Sequence, residues 1–228
     1  MSGHSKWSTI KHQKGVTDQK RGAAFTKLAN AITIAVKNNK NASTLIEKAK
    51  EANMPKDKIQ RAIDKGAGKL GGAELSEAIF EGFGPENVAI VIEAITDNST
   101  RTSQEIKNIF SKLQGAIGTT SYLFTRCGEI ELTKEEGIIE KIMDTAAEDF
   151  EESPESVTVY TKPEDFHKVK AQLEERGLKT ISAKLVFKPN KETLVTVSDP
   201  EKVQKITTFL EAIDDLDDVQ NVYTNAVL

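Results

Sequence analysis

Apolar residues recur at helical spacing near the start of the chain. Phe25, Leu28, Ala29, Ile32 and Val36 form one stripe and predict a helix over 18–38. Lys20 and Lys27 fall opposite this stripe, and Arg21 flanks it. The run Asn38-Asn39-Lys40-Asn41 breaks the pattern. Ser43 is placed to cap a second helix that carries Leu45, Ile46 and Ala49. "NMPKD" restarts the chain, with Pro55 tolerated in a first helical turn. In this third helix Ile59, Ala62 and Ile63 face inward, Lys58, Arg61 and Lys65 share another side, and Gly66 suits a C-terminal stop. The first 72 residues therefore read as a three-helix module preceded by an arm.

Beyond residue 72 the period changes and strands alternate with helices. A strand near 79–83 turns through Gly84-Pro85 into "VAIVIEAI" at 88–95. A helix with Ile106, Ile109, Phe110 and Leu113 on one face follows, then the strand "SYLF". From 129 to 190 the order is strand, helix, strand, strand, helix, strand, the ferredoxin-like βαββαβ arrangement. Its first helix is expected to start at the capping box Thr133-x-x-Glu136 and to carry Ile138, Ile142 and Met143. Its second has Pro163 in its first turn, Phe166, Val169 and Leu173 inward, and ends at Gly177. The segments left over are β(88–95)–α–β(121–125) before this run and β(193–197)–α–β(219–224) after it. Together they also spell two βαβ units. The expected fold is α+β and multidomain. A basic helical domain at 1–72 precedes a discontinuous ferredoxin-like α/β domain of 73–128 plus 191–228, and a second ferredoxin-like domain, 129–190, is inserted in it.

Composition narrows the setting. No apolar run approaches the roughly 20 residues that span a bilayer, and the basic N-terminus lacks the apolar core of a signal peptide. With Cys127 as the one cysteine among 228 residues, there is no internal disulfide and no thiol cluster for zinc. A reducing cytoplasm is the expected location, with no membrane partner.

Charge changes the picture more. The chain is acidic overall, at −4, but residues 1–72 hold 15 Lys and Arg against 5 Asp and Glu, while the remainder holds 16 against 30. A positive module of +10 joined to an acidic body of −14 is the pattern of a protein that meets polyanions at one end. "GHSKWSTIKHQKG", residues 3–15, concentrates this charge: Lys6, Lys11 and Lys14 accompany Trp7 and His12, with no acid. Lysines supply the salt-sensitive, phosphate-directed part of nucleic-acid binding. Trp7 either stacks on an exposed base or pins the arm onto the helices, and His12 donates to phosphate or stacks. The candidate nucleic-acid-binding residues are Lys6, Trp7, Lys11, His12, Lys14, Lys20, Arg21, Lys27, Lys58, Arg61 and Lys65.

Other chemistry is thin. Gly66, Gly68 and Gly71 match the dinucleotide-binding spacing but follow a helix rather than a strand, which makes "GAGKLGG" a linker. His167 reads as a surface residue, and Cys127 has no partner base. "TDNSTRT", residues 96–102, is either a strand-to-helix turn capped by Asn98, Ser99 or Thr100, or a site where Asp97, Asn98 and Thr100 coordinate a metal or organise a phosphate. "DDLDD", residues 214–218, reads as a solvated helix end. "EGFGP", residues 81–85, reads as a turn between strands. No catalytic residue, metal, cofactor or small-molecule substrate is expected.

The motifs "GHSKW", "IKH", "DQKRG", "FTKL", "NMPK", "RAIDKG", "EGFGP", "TDN", "RT", "FSK", "YLF" and "DDVQNVYTN" occur in this order from residue 3 to 225. This series resembles the YebC/PmpR family, whose mitochondrial relative is the translational activator of cytochrome c oxidase. The resemblance covers nearly the whole chain. It implies a cytoplasmic protein of three domains without enzymatic activity, generally described as a probable DNA-binding transcriptional regulator. Part of the family looks like ribosome-associated translation factors that ease proline-rich stretches. The chain departs from the family pattern at Ala23 and Cys127, where basic residues are usual, and in a short connection between the first two helices.

Two functions are thus open. One is a DNA-binding regulator of transcription. The other is a ribosome-associated factor that binds ribosomal RNA, favoured by a lysine-rich arm that reads backbone rather than sequence. An enzyme with a site near Asp97 and Asn98 is a remote third.

Overall fold

The computed structural model describes residues 18–228, with side chains from Arg21 onward. Among these residues there are seven α-helices and ten strands. The three N-terminal helices are α1 (Asp18–Lys37), α2 (Ser43–Glu51) and α3 (Lys56–Gly66). Next come β1 (Ser76–Phe83), β2 (Ala89–Thr96), α4 (Ser99–Lys112), β3 (Ala116–Ile117), β4 (Phe124–Thr133), α5 (Ile138–Met143) and β5 (Asp149–Glu152). The chain ends with β6 (Ser156–Thr161), α6 (Phe166–Glu175), β7 (Thr180–Pro189), β8 (Val195–Thr196), α7 (Pro200–Asp214), β9 (Val219–Thr224) and β10 (Ala226–Val227).

The described residues divide into two compact units. One comprises those up to Leu123 together with Lys191–Leu228, and the other is Phe124–Asn190. In the first, Ile32, Ala49, Met54, Ile59 and Ala62 form the core of the three helices, with Phe25, Leu28, Ala29 and Val36 of α1 packed around them. Each helix closes through a left-handed residue: Asn39 (φ 52°), Asn53 (φ 60°) and Gly68 (φ 72°). The next amide in each case reaches back five residues, Lys40 N to Ala35 O at 2.8 Å, Met54 N to Ala49 O at 2.9 Å and Lys69 N to Asp64 O at 2.9 Å. Gly66 is therefore not the stop. It is the last helical residue, and a Cβ there would stand 2.5 Å from the Thr33 carbonyl oxygen, so it lets α3 approach α1. Ser43 does not cap α2 either. Asn41, two residues earlier, accepts its amide at 2.9 Å.

The sheet of this unit runs in the order β3-β1-β2-β9, antiparallel throughout. Helices α4 and α7 cover the face bearing Ile90 and Ile92 and meet at Phe110 and Phe209, whose rings stand edge to face at 4.9 Å. On the opposite face, Ala31 and Ile34 of α1 pack with Leu75 and Ile95. Strand β2 is consequently buried on both sides, which is why "VAIVIEAI" is a nearly unbroken apolar run rather than an alternating one.

The strand assignments of this sheet differ from expectation. Ser121–Leu123 is a 3₁₀ turn, because the Glu81 carboxylate accepts the amides of both Thr120 and Ser121 at 2.7 Å. The strand at 76–83 takes the central place beside β2. A hairpin closed by Gly84–Val88 costs far less chain entropy than a long crossover. Strand β8, expected in the same sheet, pairs parallel with β10 instead.

The second unit is β4-α5-β5-β6-α6-β7, with sheet order β5-β6-β4-β7 and antiparallel neighbours. Its helices cover one face, where Ile130, Leu132, Val157 and Val159 meet Ile138, Ile142, Phe166, Val169 and Leu173. The expected capping box is absent. Thr133 is the last residue of β4, its amide bonded to Lys179 O at 3.0 Å, and α5 instead starts after Gly137 at φ 72°. Both sheets together with their helices make the chain α+β.

Candidate nucleic-acid interface

Of the candidate residues, Lys6, Trp7, Lys11, His12 and Lys14 lie outside the described residues, as does the side chain of Lys20. Arg21 is exposed on the first turns of α1. Lys27 turns toward the sheet. Its side chain is only 17% exposed, its ammonium donates to the backbone carbonyl of Asp214, and the Asp214 carboxylate lies at 3.9 Å. A cation at the last residue of α7 answers the negative end of that helix. At the other end of α1, Lys37 donates to Leu75 O at 3.0 Å and pairs with Glu74 at 2.7 Å, which holds the Glu74 carboxyl below its ordinary pKa. These lysines flank the small apolar contact of Ala31 and Ile34 with Leu75 and Ile95 and tie the helical module to the sheet.

Helix α3 is arranged differently. At 100° per residue, Lys58, Arg61 and Lys65 fall within an arc of about 60°, beside the buried line of Ile59 and Ala62. Lys58 and Arg61 are exposed and Lys65 half-buried. The Lys58 ammonium sits 5.6 Å from the centre of the Phe25 ring, a cation–π contact that orients it without neutralising it. The acids of this helix, Asp57 and Asp64, lie on a neighbouring side, where Asp64 is engaged by Lys69 at 3.5 Å and Gln60 at 3.2 Å. Among the described residues, Lys58, Arg61 and Lys65 make no ion pair with a carboxylate.

The two acidic motifs read separately in the sequence meet in space. Asn98 caps α4 by accepting the Arg101 amide at 3.1 Å. Arg101 bridges Asp97 at 3.1 Å and Asp218 at 2.7 Å. Asp218 also accepts from the Thr102 hydroxyl at 2.6 Å, and Thr102 lies 2.8 Å from the Thr96 hydroxyl. Burial works to raise the Asp218 pKa, but the hydrogen bonds from Thr102, Arg101 and Thr96 and the charge of Arg101 outweigh it and hold the carboxyl low. This network joins the start of α4 to the start of β9 and occupies Asp97 and Asn98 in the fold. In "EGFGP", Gly84 and Pro85 are buried, and Glu86 beyond them pairs with Lys202 at 2.6 Å. His167 is exposed, its ring edge-on to Phe166. Cys127 is buried, which pushes its thiol up to about 11. Among the described residues no group of three His, Cys, Asp or Glu is placed to hold a metal, and no helix is long and apolar enough to cross a membrane.

The helical module and the two sheets correspond to recognised domains. Residues 5–69 match the model of the TACO1/YebC protein N-terminal domain, and residues 75–226 match that of the TACO1/YebC second and third domain. The chain belongs to the TACO1/YebC family. Relatives in this family include a protein of Acetivibrio thermocellus, 40% identical over 240 residues that cover 99% of this chain and 98% of its own. Another, from Elusimicrobium minutum, is 43% identical over 239 residues, covering 99% and 95%. Both are named probable transcriptional regulatory protein. The crystal structure of a conserved hypothetical protein from Aquifex aeolicus superposes with a TM-score of 0.80 at 40% identity, covering 95% of this chain and 94% of that one. The TACO1/YebC fold thus extends over nearly all of the chain.

Proposed function

We propose that this protein is a cytoplasmic regulator of gene expression that binds nucleic acid through its basic N-terminal domain. The observation that carries this reading is the segregation of charge. The first 72 residues carry +10 and the rest −14, and the domain boundary separates them. Such a protein presents one end to a polyanion and keeps the other away from it. The names of the relatives favour transcription. The residues themselves favour contact with backbone phosphates. Arg61 is the one arginine of α2 and α3, and no Asn or Gln joins the cation strip of α3 to read base edges. That composition gives the second reading, a ribosome-associated factor that binds ribosomal RNA and eases translation of difficult stretches. No catalytic step is assigned.

Crosslinking in cells, followed by sequencing of the bound nucleic acid, tests this. Recovery of discrete DNA sites supports transcription. Recovery of ribosomal RNA, with ribosome co-sedimentation lost when Lys11, Lys14 and Lys20 become Glu, supports translation. Recovery of neither above background overturns the proposal.

A further inference from the structure

Two groups of cations in the helical module differ in what they touch, and the difference assigns them different work. We propose that Lys58, Arg61 and Lys65 form a phosphate-contacting strip that takes successive phosphodiester groups of a nucleic-acid backbone. Lys27 and Lys37, although part of the same positive module, serve to hold it on the sheet. This rests on the nucleic-acid reading above and deepens it to particular side chains.

Position supports the strip. Seven residues separate Lys58 from Lys65, about 10 Å of helix. A strand of duplex carries one phosphate per ~3.4 Å of axis, so three cations over this length match about three phosphates. Charge supports it as well. The three cations have no carboxylate partner among the described residues, whereas Lys27 is engaged by Asp214 and Lys37 by Glu74. The neighbouring acid Asp64 is already engaged by Lys69. Rigidity is the third support. Gly66 brings α3 against the Thr33 carbonyl of α1, the Thr33 hydroxyl lies 3.1 Å from Ala62 O, and Phe25 orients Lys58. A charged strip on a packed helix loses less side-chain freedom on binding than one on a loop. Arg61 adds the planar fork that fits phosphate oxygens in pairs.

The test uses the full chain. Its affinity for a DNA duplex and for a single-stranded RNA is measured by fluorescence anisotropy between 50 and 200 mM salt. Lys58→Gln/Arg61→Gln/Lys65→Gln is compared with Lys27→Gln. The triple variant is expected to flatten the slope of log affinity against log salt by about 2.7 on duplex DNA or about 2.1 on single-stranded RNA. Whichever probe shows the change names the source of the phosphates. Arg61→Lys, which keeps the charge, is expected to keep the slope. Lys27→Gln is expected to leave the slope unchanged while lowering the melting temperature. A triple variant that folds, binds and keeps the parent slope overturns the strip while leaving the nucleic-acid reading intact. A parent protein that binds neither probe overturns that reading and the strip with it.

Discussion

Ala89 and Asn225 hold each other twice. The Ala89 amide donates to the Asn225 side-chain oxygen at 2.8 Å, and the Asn225 amide returns a bond to the Ala89 carbonyl at 3.3 Å. The other side-chain atom of Asn225, its Nδ2, donates to Thr193 O at 2.5 Å, and the Thr193 hydroxyl donates to Leu123 O at 3.0 Å. One buried asparagine thus links β2 to the segment where the chain re-enters the first unit, and Thr193 links that segment to the point of exit. Asn225→Ala removes the partner of the buried Ala89 amide and the bond to Thr193 O, at a cost of about 1–3 kcal/mol. A clear fall in the thermal midpoint is expected. A midpoint within a degree of the parent protein would show that water replaces the asparagine without loss.

Asp218 predicts a pH response. Its pKa is held below the ordinary 3.8 in the folded chain, because the hydrogen bonds it accepts outweigh its burial. A depressed carboxyl stabilises fully above its unfolded value, and that stabilisation is lost as pH falls through the folded value. Acid titration of stability is therefore expected to be shallower below about pH 4 in Asp218→Asn than in the parent, and the variant less stable at neutral pH. Parallel acid limbs would contradict the assignment.

Gln114 follows α4 at φ 61°, exposed, with the next amide, Gly115, bonded back to Phe110 O at 2.7 Å. A glutamine pays for this left-handed geometry and glycine does not. Gln114→Gly is expected to raise stability by about 0.5–1 kcal/mol, read as a higher denaturation midpoint in urea. A loss would mean that the side chain makes a contact worth more than the strain.

Cys127 predicts slow chemistry. Burial raises its thiol to about 11, so little thiolate exists at pH 8. Labelling by a thiol reagent is expected to follow unfolding, rising steeply with denaturant. Complete labelling of the native protein within seconds would show an open path to the sulfur.

Helices whose burial is one-sided are legible in the sequence. The α1 stripe of Phe25, Leu28, Ala29, Ile32 and Val36 was legible because it repeats at helical spacing. The second contact of α1, through Ala31 and Ile34, was not, since two residues three apart give no periodic signal of their own. For the same reason Lys27 read as a phosphate-facing cation: its partner at Asp214 is 187 residues away and no local pattern announces it. Asn39 reads as part of a break and Asn53 as part of a restart, and the backbone makes both left-handed helix ends. The 129–190 elements were legible because βαββαβ order is local. The expected strands at 121–125 and 193–197 do not join the first sheet, because Glu81 fixes 121–123 as a turn, 124–125 belong to β4, and β8 pairs with β10. Lys58, Arg61 and Lys65 were visible together from the start, because a charge strip on one helix needs only spacing.

The pairing of β2 with β9 has a consequence for synthesis. Phe124–Asn190 has all its strand partners within 67 consecutive residues and is complete once that stretch has emerged. The sheet of the first unit lacks an edge strand until Val219–Thr224 is made. The first unit to begin emerging is therefore the last to finish. Until then β2, with its apolar residues on both faces, waits with an unpaired edge, a state that favours aggregation. Truncation of even the last ten residues removes that edge strand. It is expected to unfold the sheet of the first unit while sparing that of Phe124–Asn190.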